Sequence, residues 1–156
     1  MDDLIAFLRA RLDDDEQTAR ASIGHSAGHL NGADPLLLAI WKVTDRPATG
    51  TFVTTRDQWD RSTEIVPTYG GMHAAHIARH DPARVLAEAD AKRRILDEHP
   101  PALGWDGRTP DGSVCRTCAQ DATDGALQGE PYPCVTLRLL AMPYADHPDY
   151  QDEWRP

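Results

Sequence analysis

Aromatic side chains are scarce in this sequence, at 6% of 156 residues. Rings supply much of the buried area of an ordinary core, so the interior should be modest and a metal staple would add what packing does not. Positive charge is short too: 16 Lys and Arg face 25 Asp and Glu, a formal net charge of -9. Nucleic-acid affinity rests on phosphate contacts from a basic face, which argues against DNA or RNA as a partner. No apolar run approaches the roughly 20 residues that cross a bilayer. The opening Met1-Asp2-Asp3 lacks the basic and apolar regions of a signal peptide, so the expected setting is the cytoplasm, with no membrane contact. Cysteine is limited to three. An odd number in a reducing compartment disfavours a disulfide framework and turns attention to metal ligation. Catalytic motifs are missing as well. Ser22, Ser26 and Ser113 have no nucleophile-elbow setting, and Gly70-Gly71 stands outside any phosphate-binding loop. There is no internal repeat.

What remains is a chain of 40% hydrophobic and 26% charged residues, the composition of one folded domain rather than a disordered segment. Leu4, Phe7, Leu8 and Leu12 recur at helical spacing and predict an amphipathic helix over 3–21, with Asp2 as N-cap and Gly24 as stop. The acidic run Asp13 to Glu16 reads as its solvated face. Residues 25–34 read as a loop. Leu36 to Val43 and Thr51 to Thr55 read as antiparallel strands joined by Asp45-Arg46-Pro47 and Thr49-Gly50, with a third short strand over Glu64 to Thr68. The sheet thus occupies about 36–68. Helices follow over 72–80 and 82–99, the second opened by Asp81 as N-cap and Pro82 at the first helical position. Residues 102–132 are rich in Gly, Asp, Thr and Pro. An irregular stretch of that length inside a compact domain needs something to tie it down. A last helix is predicted from Pro133-Cys134 to Met142. The tail 143–156 should lie extended with Tyr144, Tyr150 and Trp154 buried. The fold class is α+β.

The tie is a metal. Cys115-Arg-Thr-Cys118 is a knuckle whose two thiolates can share one tetrahedral ion, and Cys134 follows after fifteen intervening residues. Cys134 opens a helix, where free N–H groups and the helix dipole favour the thiolate. Three cysteines are one ligand short of a closed structural zinc site. His99, on the helical face of Leu96 and with fifteen residues intervening before Cys115, is the preferred fourth; His147, with twelve residues intervening after Cys134, is the rival. The bland reading, three free cysteines as small hydrophobes, explains neither the spacing nor the slack loop. A catalytic zinc of the deaminase type would want an HxE before the knuckle and a Pro beside it, and iron–sulfur ligation four cysteines; neither pattern is present.

His73, His76 and His80 share a helical face and, with Asp81, suggest a second metal site or a proton-transfer face. The two-His metalloprotease motif with its Glu is absent, so packing or solvent exposure is the preferred role. Lys92-Arg93-Arg94 is the one dense basic cluster. Glu88, Asp90, Asp97 and Glu98 flank it, which favours ion pairing along a helix over docking of a phosphate.

The segments MDDLIAFLRARLDDDEQTARA, HIARHDPARVLAEADAKRRILDEH, CRTC and YPCVTLRLLAMPYADHPDYQDEWRP resemble a family of small uncharacterised proteins of actinobacteria and their phages. That resemblance brings no activity. It implies motif positions at His76, His80, Asp81, Pro82, His99, the three cysteines and the YADHPDY tail, and leaves His73 outside them. The function expected is a non-enzymatic, zinc-stabilised binding or regulatory module, with a protein partner or a second copy of the chain. The alternative is a metal-dependent hydrolase using the His73/His76/His80 face.

Overall fold

A computed structural model describes residues 3–47, 49–68, 70–123 and 125–156. The expected N-cap, Asp2, lies outside the described residues. The architecture is α+β: α1 (Asp3–His29), α2 (Pro35–Leu38), β1 (Trp41–Arg46), β2 (Gly50–Arg56), β3 (Ser62–Thr68), α3 (Gly71–Arg79), α4 (Pro82–Glu98), β4 (Pro101–Gly104), β5 (Gly112–Cys115), β6 (Gln120–Asp121), β7 (Leu127–Gln128) and α5 (Val135–Ala141), then two 3-10 turns. The chain divides into two compact units, Asp14–Ala89 and Met1–Asp13 with Asp90–Pro156.

In the unit Asp14–Ala89, α1 runs on past Gly24 to His29. Ala19, Ser26 and Leu30 are buried at spacings of seven and four, so the apolar face continues through the expected stop. A glycine inside a helix costs only about 1 kcal/mol relative to alanine, which that burial offsets. The chain turns at Gly32, whose φ of 78° suits a residue without Cβ. Asp34 then caps α2, accepting from the Leu36 N–H at 2.9 Å, with Pro35 at the first position. Residues 36–38 are therefore a helical turn, and the first strand begins only at Trp41.

The sheet is an antiparallel meander in the order β1-β2-β3. Its register runs Trp41↔Thr55 to Arg46↔Gly50 on one side and Thr51↔Thr68 to Arg56↔Ser62 on the other, with an irregularity between Val53 and Thr54. Central β2 carries the buried run Phe52, Val53, Thr54 and Thr55, and α3 packs on β1 and β2. The turn after β2 is tied by Asp57, whose side chain is 0% exposed. It accepts from the backbone N–H groups of Trp59 and Arg61 and from Arg61 Nε at 2.6 Å. Burial alone would raise the Asp57 carboxyl. The hydrogen bonds from Arg61 and Trp59 and the Arg61 charge outweigh it and hold the group below its ordinary value.

In the other unit, Leu4, Phe7, Leu8 and Leu12 are buried along one face of α1, together with Leu96, Val114, Tyr132, Leu137 and Trp154. The stretch 102–132, read from sequence as irregular, contains most of two small hairpins, β4–β5 and β6–β7. Backbone hydrogen bonds join them, from Trp105 N–H to Leu127 O at 2.8 Å and from Gly129 N–H to Trp105 O at 3.0 Å. The turn after β4 is closed by Asp106, which accepts from Arg108 and Thr109 N–H, each at 2.8 Å. Its carboxyl fills the place a side chain at Gly112 would need: a Cβ there would lie 2.3 Å from Asp106 Cγ. The tail folds into turns rather than lying extended. Trp154 is buried, and the rings of Tyr144, Tyr150 and Trp154 stand within 6.3, 6.1 and 5.0 Å of Phe7.

Candidate metal centre

Four ligating side chains converge in this unit. His99 follows the last residue of α4, where its N–H still reaches Leu96 O at 3.3 Å. Cys115 ends β5, and Cys118 lies in the turn closed by Ala119 N–H on Cys115 O at 2.9 Å. Cys134 is the N-cap residue of α5. The knuckle is anchored to the end of α4 by Arg116 N–H on Pro100 O at 2.9 Å and by the Thr117 hydroxyl, which donates to Glu98 O. The start of α5 is held by Glu130, whose carboxylate accepts from Val135 N–H at 3.1 Å and from Arg138 at 3.2 Å. The knuckle and the cysteines were visible as motifs. Thr117 and Glu130 belong to no sequence motif: Glu130 lies four residues before the N-cap of α5, outside the first turn where acidic residues mark a helix start.

His99 Nδ1 stands 3.3 Å from Cys115 Sγ, 3.5 Å from Cys118 Sγ and 3.6 Å from Cys134 Sγ. All four donor atoms lie within 4.8 Å of one another. One imidazole nitrogen carries either one N–H or one lone pair, so it cannot hydrogen-bond three thiols at once. Three near-equal contacts are instead the edges of a tetrahedron. Ligands at about 2.3 Å for sulfur and 2.0–2.1 Å for nitrogen put N···S at about 3.6 Å. The donor set and its spacing thus fit a four-coordinate metal ion. Without an ion, desolvation of its sulfur and the neighbouring Cys115 and Cys134 thiols push the Cys118 thiol up to about 12; only a cation among them would hold all three as thiolates. Cys115 and Cys134 are buried, Cys118 is exposed, and His99 is half-buried.

The other sequence candidates lie elsewhere. His147 sits in the aromatic cluster of the tail, 5.6 Å from the Phe7 ring, with Arg11 on its Nε2 and Asp149 N–H donating to its Nδ1 at 3.1 Å. It is not part of the four-donor group. His76 and His80 are neighbours, ring centroids 4.5 Å apart, and His80 Nδ1 bonds to His76 O at 2.9 Å. His73 is exposed. Among the described residues these three do not join a group of three or more ligating atoms; the His/Cys group above is the one found. Asp81 is engaged in structure, accepting from Arg84 N–H at 2.9 Å and Trp41 N–H at 3.3 Å. The basic cluster is paired on its own surface: Arg93 with Asp13 at 2.6 Å, Arg94 with Asp90 at 2.9 Å, and Lys92 over the Tyr144 ring at 5.7 Å.

A family model matches residues 1–156. The chain belongs to DUF6221, a family of unknown function. No curated protein and no solved structure matches it. No helix among the described residues is long and apolar enough to cross a membrane.

Proposed function

We propose that this member of DUF6221 is a non-enzymatic binding module of the cytoplasm whose second half is held by one structural zinc ion. The observation that carries the reading is the set of three near-equal distances from His99 Nδ1 to the sulfurs of Cys115, Cys118 and Cys134. Cys3His is a closed donor set, with no position left for water or substrate, which is the arrangement of a structural rather than a catalytic zinc. A reducing compartment keeps the thiols available for the metal. An origin in actinobacteria or their phages belongs to the same reading, through the resemblance of the motif segments.

A protein partner is supported by apolar surface in the unit Asp14–Ala89. Leu36 is 78% exposed, at the edge of a groove of about 460 Å³ lined by Ile23, Ala27, Pro35, Leu36, Ala83 and Leu86. Exposed apolar surface of this kind marks interaction sites. Elemental analysis of the purified chain tests the metal and should find about one zinc per chain. Capture of partners by the wild-type chain, lost on Leu36→Glu with zinc content unchanged, tests the module. A chain that stays monomeric and captures nothing sinks the binding role.

A further inference from the structure

The three cysteines of the metal cluster are unequally protected. Cys115 and Cys134 are 1% and 0% exposed, whereas Cys118 is open to solvent. Oxidant attack on thiolates follows access and thiolate character; a metal-bound cysteine supplies the second and the Cys118 turn the first. Cys115 and Cys118 also belong to one turn, closed by Ala119 N–H on Cys115 O, and their sulfurs lie within the 4.8 Å cluster. A disulfide between them, at about 2.05 Å, would join two residues of this one turn. Cys134 belongs instead to the start of α5.

We propose that the cluster is a peroxide-sensitive catch, in which oxidation of Cys118 onto Cys115 expels the metal and loosens residues 99–142; the proposal rests on the zinc reading above. The chemistry balances with hydrogen peroxide as oxidant. The Cys118 thiolate attacks a peroxide oxygen, an S–O bond forms and the O–O bond breaks, giving the sulfenic acid and hydroxide. The Cys115 thiolate then attacks the Cys118 sulfur, an S–S bond forms, and the S–O bond breaks with loss of a second hydroxide. Two thiolates are oxidised by two electrons and the peroxide is reduced. His99 and Cys134 remain as two ligands, too few for a tetrahedral structural site. The exchange is also unequal in topology. The metal joins the end of α4, the knuckle and α5, whereas the disulfide closes only the Cys115–Cys118 turn and so restrains the chain far less.

The test uses the full-length, zinc-loaded chain treated with hydrogen peroxide. Zinc release is followed with a chromogenic chelator, and disulfides are mapped by mass spectrometry after alkylation of free thiols. The expected result is release approaching one zinc per chain, a Cys115–Cys118 disulfide with Cys134 alkylated, and re-uptake of zinc after dithiothreitol. Cys118→His keeps four ligands while removing the exposed thiolate, and should bind zinc yet fail to release it. If that variant does not fold, the wild-type disulfide map still decides. A chain that holds one zinc and keeps it under peroxide, or releases it with Cys134 in the disulfide, overturns the catch and leaves the zinc reading standing. A chain that takes up no zinc before peroxide overturns the zinc reading itself.

Discussion

Residues 41–68 and residues 99–142 hold themselves together in different ways. The first stretch forms a three-stranded sheet whose central strand buries four consecutive side chains, with the turn after it locked by a carboxylate removed from water. The second has strands of two to four residues and a helix of seven. Elements that short close few backbone hydrogen bonds each, and helices below roughly 12 residues are marginal without tertiary support. Where regular structure is long enough, hydrophobic burial and the ladder suffice. Where it is not, four ligating side chains drawn from the end of a helix, a strand, a turn and the start of another helix lie together and could hold a metal ion.

The largest expected effect separates the two stretches. Chelation, or Cys134→Ala, should cost more than about 5 kcal/mol, beyond what single side chains ordinarily contribute. Hydrogen exchange should then show 99–142 losing protection while 41–68 retains it; equal loss in both would erase the contrast. Next comes the reverse case. Leu38 is fully buried, and Leu38→Ala should cost about 2–5 kcal/mol through the cavity it leaves, read by denaturant melts with zinc content unchanged. A smaller effect concerns Asp57. Its carboxyl titrates below the ordinary 3.8 in the folded chain, so its contribution is complete above that value and is lost as pH falls through the folded value. Asp57→Asn should lower the melting temperature at neutral pH and flatten the decline on acidification. A pH profile parallel to wild type would show that the turn is held some other way. Smallest of all, Arg94→Ala breaks an exposed i, i+4 pair with Asp90 and should change stability by at most about 0.5 kcal/mol.

The parts of this molecule legible in its sequence are those whose chemistry is local. Thiol and imidazole spacing pointed to the cluster because few side chains ligate metals, and the face of Leu96 pointed His99 inward. The amphipathic start of α1 and the Asp81-Pro82 helix start were legible for the same reason. Its far end was not, because Gly24 carries a stop signal that burial of Ser26 and Leu30 overrides. Asp34-Pro35 carried the same cap signal as Asp81-Pro82, masked by the apolar run behind it. The hairpins of 101–128 left no periodic trace, since strands of two residues show no alternation and are set by pairing with distant backbone.

Asp106 and Gly112 have a consequence for how this sequence can change. The carboxyl of one occupies the volume a side chain of the other would need, so Gly112 is not free to drift while Asp106 stays. Gly112→Ala should be badly tolerated in the native chain and much better tolerated beside Asp106→Gly, a strongly non-additive pair in a double-mutant cycle. Across relatives a side chain at position 112 should occur only where position 106 has given up its carboxyl, so the history of one site gates that of the other.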